Sequence, residues 1–339
     1  MLTHRLLDRL AADGEDISRR LRARISFWEL FALILALALL AVSAHFQTVL
    51  GILPVDMRFF LNTSRGDFSD FYYAYWILPL FSLLALLPPM LAYAIWATVN
   101  ILGVFFAARV FGGRVPLALL SFQMLYVIFV GQIVGLICAG LALLWWALKS
   151  KRWELAGLGL SIACTKFHIG VILGAAILMV ADISWRKRLR VLIIPAIVLA
   201  LSLVIYPMWP LDLVETIRSS PANQWGSIAL WRWIGPFALV LWIPPLFLPL
   251  SRPQRLAALT ATTALAVPYF QQTDLLTLFV LPIGWAYVLA GNVGYLFFAV
   301  FWDWIWVLSI AVFLAYSSII FPALWRFAAS RARFSRPQE

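Results

Sequence analysis

Charge is what this chain has least of. Only 12% of its 339 residues are Asp, Glu, Lys or Arg, and 64% are hydrophobic, whereas a soluble domain is about a quarter charged and half apolar. That excludes an ordinary soluble domain and points to a polytopic membrane protein. Cysteine is nearly missing: Cys138 and Cys164 both lie inside apolar runs, which excludes a disulfide framework and fits small buried hydrophobes. The three histidines form no cluster with acids at metal-ligand spacing. There is no Gly-rich phosphate loop, no serine-nucleophile motif and no repeat of 20–50 residues. No metal or cofactor is expected. Acids are outnumbered by bases, 15 to 26, for a formal net charge of +11. The bases sit in short loops without interleaved exposed aromatics, so topology and anionic lipid explain them, and nucleic acid is not an expected partner.

What is present is ordered by that charge pattern. All but five of the 26 bases fall in six patches: Arg5 to Arg24, Arg109 with Arg114, Lys149 to Arg152, Arg186 to Arg190, Arg252 with Arg255, and Arg326 to Arg336. Apolar runs separate them, and about 20 helical residues cross a hydrocarbon core ~30 Å thick. Basic loops stay on the cytoplasmic side, which predicts an all-α multi-pass protein of the cell membrane with ten or eleven crossings. Residues 1–26 carry Leu2, Leu6, Leu7 and Leu10 at helical spacing and read as a cytoplasmic amphipathic segment. Residues 27–323 form the membrane domain and 324–339 a basic tail. The run Phe27–Leu50 is too long for a cleaved signal and is expected to be an uncleaved anchor.

The same pattern places 51–89 and 209–227 outside as the two large outer loops, with 71–88 lying along the outer interface or dipping in and returning. Residues 115–130 and 132–148 pair as a hairpin tipped by Gly131 and Gln132. Residues 154–165 and 168–184 pair as another, tipped by Thr165 to His168. Residues 228–250, 256–270 and 275–290 are further expected crossings. The stretch 295–323 fits neither one crossing nor two, and Asp303 near its middle suggests a re-entrant hairpin. Gly131 and Gly135 form a small-xxx-small pair suited to helix packing.

Candidate chemistry follows from what lies outside. Asp67 and Asp70 sit three apart in the first outer loop, where a helical turn would put both on one face. Desolvation at the interface would raise their pKa and make better bases. The alternative is that Asp67 caps a helix beginning near Phe68. Lys166 and His168 end an apolar run, and ionisable groups at membrane depth are functional candidates. A cation there suits a lipid-linked phosphate, with snorkelling to the headgroups as the alternative. Gln132 is placed to meet a sugar hydroxyl or is merely a polar hairpin tip. Arg218, Asn223, Gln224, Trp225 and Arg232 mix cations, amides and an aromatic, a set that suits a polyol or phosphate.

The order of these features resembles a known family. An Asp-to-Ala motif (Asp67 to Ala74) follows the anchor. Pro88-Pro89 and Trp96 to Asn100 come next, then Gly131-Gln132, Ala156-Gly157, Thr165-Lys166 and the basic loop at Trp185. This set is similar to the polyprenol-phosphate-mannose-dependent mannosyltransferases of glycosyltransferase family 87, in the GT-C superfamily, over residues 27 to about 290. The resemblance implies a GT-C-type helical enzyme with its active site on the extracytoplasmic face. It implies an inverting hexosyltransferase, most simply a mannosyltransferase, that takes sugar from a polyprenyl phosphate to a lipid or glycan acceptor. Its essential acid matches Asp67, with Asp70 assisting. Its lysine matches Lys166, joined by His168 and by Arg58 or Arg65 as neutralisers of the departing phosphate. Where the family often carries His near a late crossing, this chain has Gln271-Gln272. A non-catalytic carrier or flippase for polyprenyl phosphate or glycolipid is the competing expectation.

Overall fold

The computed structural model describes residues 16–68, 71–219, 227–300 and 305–334, and these are helical with no strand among them. Four helices are long and apolar enough to cross a membrane: Phe27–Leu50, Pro89–Phe111, Trp185–Ile205 and Val307–Ser330. A fifth arises if Phe122–Val130 and Val134–Lys149, bent by 115° at their junction, act as one span. At 1.5 Å per residue the 24 residues of Phe27–Leu50 reach about 36 Å, enough for the core. Only 17% of the apolar window of this helix and 11% of that of Trp185–Ile205 is buried within the protein. Their bare Leu, Ile, Val and Phe faces therefore suit contact with lipid.

Local chemistry sets where these helices begin and end. Ser26 and Glu29 close a capping box at the start of Phe27–Leu50, and Gly51, at φ +66°, ends it. Pro88 and Pro89 open Pro89–Phe111, where a missing N–H costs nothing, and Gly112 closes it in the left-handed region. Pro54 then starts a nine-residue helix, Val55–Thr63, in the loop after Phe27–Leu50.

Several expected crossings are divided by the same devices. Residues 115–130 split into Val115–Leu119 and Phe122–Val130 because Ser121 caps a new helix, accepting from the Met124 N–H. The stretch 228–250 forms no single helix. Gly235, at φ +55°, with Pro236, Pro244 and Pro245, reduces it to Trp231–Ile234, a 3-10 turn Gly235–Trp242, and Ile243–Phe247. The run that fitted neither one crossing nor two resolves into Trp285–Val300 and the long helix Val307–Phe334, which pack on each other. Its midpoint, Asp303, lies outside the described residues.

At the centre stands Arg252–Ala266, a helix of crossing polarity too mixed to be a lipid-facing span. Every residue from Leu256 to Ala266 is buried, and Thr260 and Thr263 return their hydroxyls to backbone carbonyls one turn back. Phe167–Val180 packs beside it, while its hairpin partner Trp153–Ala163 packs on Val134–Lys149 and Trp185–Ile205.

Candidate functional site

The site forms where five chain segments meet at the turns between helices. The tip of the hairpin Trp153–Ala163/Phe167–Val180 presents Lys166, whose side chain is 3% exposed. Its ammonium lies 2.6 Å from Asp274 Oδ1 and donates to Gln271 Oε1 at 3.0 Å. Asp274 is wholly buried on the 3-10 turn Gln272–Leu275. Its second oxygen accepts the Gln271 N–H at 3.0 Å and lies 3.6 Å from His168 Nε2. Burial pushes the Asp274 carboxyl up, but Lys166 and His168 outweigh it and hold the group below the usual carboxylate range. The charge of Lys166 is thus already matched, and one of its three ammonium hydrogens has no acceptor among the described residues.

The neighbouring segments are tied to this pair. Gln132 Nε2 meets Gln271 Oε1 at 3.5 Å, while Gln132 Oε1 accepts from the Tyr73 hydroxyl at 3.1 Å and from the Ile133 N–H at 3.0 Å. Gly131, at φ +78°, makes the turn that aims Gln132 inward. The stretch leading to Tyr75–Ile77 is fastened to the lysine turn by the Ala74 N–H to the Thr165 carbonyl at 2.9 Å and by Trp76 Nε1 to Thr165 Oγ1 at 3.3 Å. Ser227 and Gln271 pair backbones in an isolated bridge, so the end of the second loop joins as well.

A second acid belongs here. Asp56 lies on the helix Val55–Thr63, which packs against the Gly131 turn. One of its carboxyl oxygens is sealed from solvent with no hydrogen-bond partner among the described residues. Burial raises its pKa to about 7, and the nearby Lys166 charge only partly opposes the rise. Gln272 Oε1, Thr273 Oγ1 and His168 Nε2 are likewise sealed without a hydrogen-bond partner. Buried polar atoms left open in this way cost about 1–3 kcal/mol each, and such a set is what a polar ligand would satisfy.

Of the residues expected from sequence, Lys166, His168, Gln132, Gln271 and Gln272 share these segments. Asp67 is exposed, in an irregular stretch after Gly66 at φ +100°. No helix begins at Phe68: the helix of this loop is Val55–Thr63, fixed upstream by Pro54, and the next helical residues are Tyr75–Ile77. The capping role for Asp67 therefore fails for want of a helix to cap. The shared helical face with Asp70 has no helix at Asp67 to rest on. Arg58 is exposed with its guanidinium 5.9 Å from the Phe59 ring, and Arg232 lies likewise over Trp233 at 5.7 Å. Arg65 and Arg218 are exposed. Asp70, Asn223, Gln224 and Trp225 lie outside the described residues.

Asp56 and Asp274 are among the six acids, Asp67 and Asp70 included, that the charge pattern groups on one side, but no motif gave them a role, and Tyr73 falls inside the Asp67-to-Ala74 motif without a role of its own. A signal existed for Asp274: a lysine buried at membrane depth requires a carboxylate, and this acid adjoins the Gln271-Gln272 pair. Among the described residues no three of His, Cys, Asp and Glu converge to hold a metal ion, and the Lys166 ammonium beside Asp274 and His168 would repel one. Compared with known proteins, the chain matches no family model, no curated protein and no solved structure.

Proposed function

We propose that this chain is a multi-pass membrane hexosyltransferase of GT-C type, with ten or eleven membrane-crossing segments if the shorter helices are counted. On this reading it takes a hexose, mannose by resemblance, from a polyprenyl phosphate to a hydroxyl of a lipid or glycan acceptor on the outer face. One observation carries the reading: a buried lysine with a spare donor lies among segments that hold sealed polar atoms, and its charge reaches Asp56, a half-buried acid with one sealed and unpartnered carboxyl oxygen. The ordered motifs from Asp67 to Trp185 support it.

The chemistry balances without further parts. The acceptor oxygen attacks the anomeric carbon opposite the phosphate and loses its proton to a carboxylate of the first outer loop. The bond from that carbon to the phosphate oxygen breaks, and its electron pair leaves with the polyprenyl phosphate, inverting the centre. Lys166 and His168 meet the departing charge, an electrostatic contribution made stronger by exclusion of water. Asp56 is the better-placed proton acceptor, because its pKa of about 7 matches neutral conditions. Asp67 is the competing acid and Asp70 its expected assistant. Gln132, Gln271 and Gln272 would receive sugar hydroxyls.

A non-catalytic carrier is the second reading, favoured by the matched Lys166–Asp274 charge, since transport needs a polar lipid-phosphate site but no base. The deciding experiment reconstitutes the protein in liposomes with a panel of polyprenyl-phosphate hexoses and lipid acceptors. Transfer by the wild type with a 10²–10⁴-fold loss in Asp56→Asn and a smaller loss in Asp67→Asn supports the assignment. The reverse order moves the base to Asp67. Donor translocation without transfer from any sugar replaces the enzyme by the carrier.

A further inference from the structure

At the opposite end of the molecule the N-terminal helical residues 16–22 dock against the ends of the spans. Arg109 anchors them: its Nη2 donates to the Ala23 carbonyl at 2.7 Å and to the Arg20 carbonyl, while its Nε lies 3.9 Å from Glu29. Arg20 pairs with Asp16, and its guanidinium lies against Gly112. Between the docked segment and the spans is a cavity of ≈ 620 Å³ lined by Arg20, Arg24, Arg109, Glu29 and the Gly112–Gly113 turn. Any side chain at Gly112 would occupy the space of Arg20, since a Cβ there falls 2.3 Å from Arg20 Nη1.

Among the described residues, the charged lining of this cavity is mostly cationic. A smaller adjoining cleft shares Arg20 and adds Lys149 and Arg252. Among the described residues, the three arginines of the larger cavity meet two carboxylates, Glu29 beside Arg109 and Asp16 on Arg20. Arg24 is exposed and forms no ion pair with a carboxylate among the described residues. Beside it begins Phe27–Leu50, whose first turns carry the exposed rings of Phe27, Trp28 and Phe31, packed with centroids 5.3 to 6.4 Å apart. Trp at a span end marks the headgroup level. A cationic pocket at that depth with an apolar aromatic rim offers one end to phosphate and the other to acyl chain.

We propose that this pocket binds an anionic phospholipid, its phosphate held by Arg20 and Arg24 and its chains lying along the Phe27–Phe31 face. Arg109 is the structural member that keeps the docked segment in place. The proposal does not depend on the sugar-transfer reading.

The test uses the full chain in mild detergent, with bound lipid counted by native mass spectrometry after incubation with phosphatidylglycerol or phosphatidylcholine. Phosphatidylglycerol should be retained at least tenfold better. Arg24→Gln should reduce retention about fivefold and Arg20→Gln with Arg24→Gln about 25-fold, while Arg20→Lys keeps most of it. Arg190→Gln, at an exposed arginine paired with Glu154 in another basic patch, should leave retention unchanged. Thermal melting of each variant confirms that it is folded. Equal retention of the two lipids, wild-type retention in the double variant, or an equal loss in Arg190→Gln would overturn the proposal. Displacement of the lipid by millimolar inorganic phosphate would overturn it too, by showing a site for soluble phosphate.

Discussion

At the scale of single residues, the centre is a buried lysine whose neutralising partner is as buried as itself. Removing one member of such a pair strands the other. Lys166→Met should therefore destabilise the protein by about 3–5 kcal/mol, leaving Asp274 uncompensated. Lys166→Met combined with Asp274→Leu should recover most of that loss in thermal melts while donor binding stays lost. Recovery of donor binding in the double variant would remove Lys166 from the site. Asp56 makes a separate prediction through pH. A proton acceptor works only when deprotonated, and burial has raised this carboxyl to about 7. The transfer rate should rise about tenfold per unit below that value and level off above it. The same raised pKa means the folded state holds the Asp56 proton more tightly than the unfolded chain. Its contribution to stability is present below about 4 and lost as pH rises through 7. A rate profile complete by pH 5, as for a base of ordinary carboxylate pKa, would exclude Asp56.

At the scale of elements, two glycines that look alike in sequence do different work. Gly131 takes φ +78° and turns the chain toward Gln132. Gly135 lets Val134–Lys149 meet Pro89–Phe111 backbone to backbone: a Cβ there would stand 2.3 Å from the Asn100 carbonyl oxygen, and one at Gly103 would stand 2.4 Å from the Gly135 oxygen. Asn100 Oδ1 accepts the Leu136 N–H at 3.1 Å across the same contact. Gly135→Val should force these helices apart, at a cost of about 1–3 kcal/mol or more, and lower the melting temperature. A comparable substitution on the lipid-facing side, Leu199→Val, should be nearly neutral. Equal effects would mean that the close approach contributes nothing.

For the whole molecule, the six basic patches and the polar outer turns imply opposite faces. In a background with Cys138 and Cys164 replaced, cysteines at Ser69 and Asn223 should react with an impermeant thiol reagent from outside. Cysteines at Ser150 and Ser184 should react only after permeabilisation. Labelling of the latter pair in intact cells would invert the topology and put the Lys166 centre on the cytoplasmic side.

Composition and charge spacing by themselves determined the helical fold with helices apolar enough to span a membrane, because hydropathy and the position of Lys and Arg act locally along the chain. They also determined the turns at Gly131 and at Thr165 to His168, where glycine and polar residues interrupt apolar runs. Lys166 stood out for the same local reason, as a charge where the surroundings are apolar. The count of full-length spans, however, was decided by helix breakers acting inside the runs, such as Ser121 and the Gly235–Pro245 series, whose effect hydropathy does not register. The site's acids were decided by tertiary structure alone. Asp274 is 108 residues from Lys166 in sequence, and Asp56 differs from the exposed Asp67 in no property that a sequence displays. The packing of Val55–Thr63 against the Gly131 turn seals one carboxyl oxygen of Asp56, while Asp67 stays exposed. Burial is a property of where distant segments meet, and it is burial that raises the pKa of an otherwise ordinary aspartate.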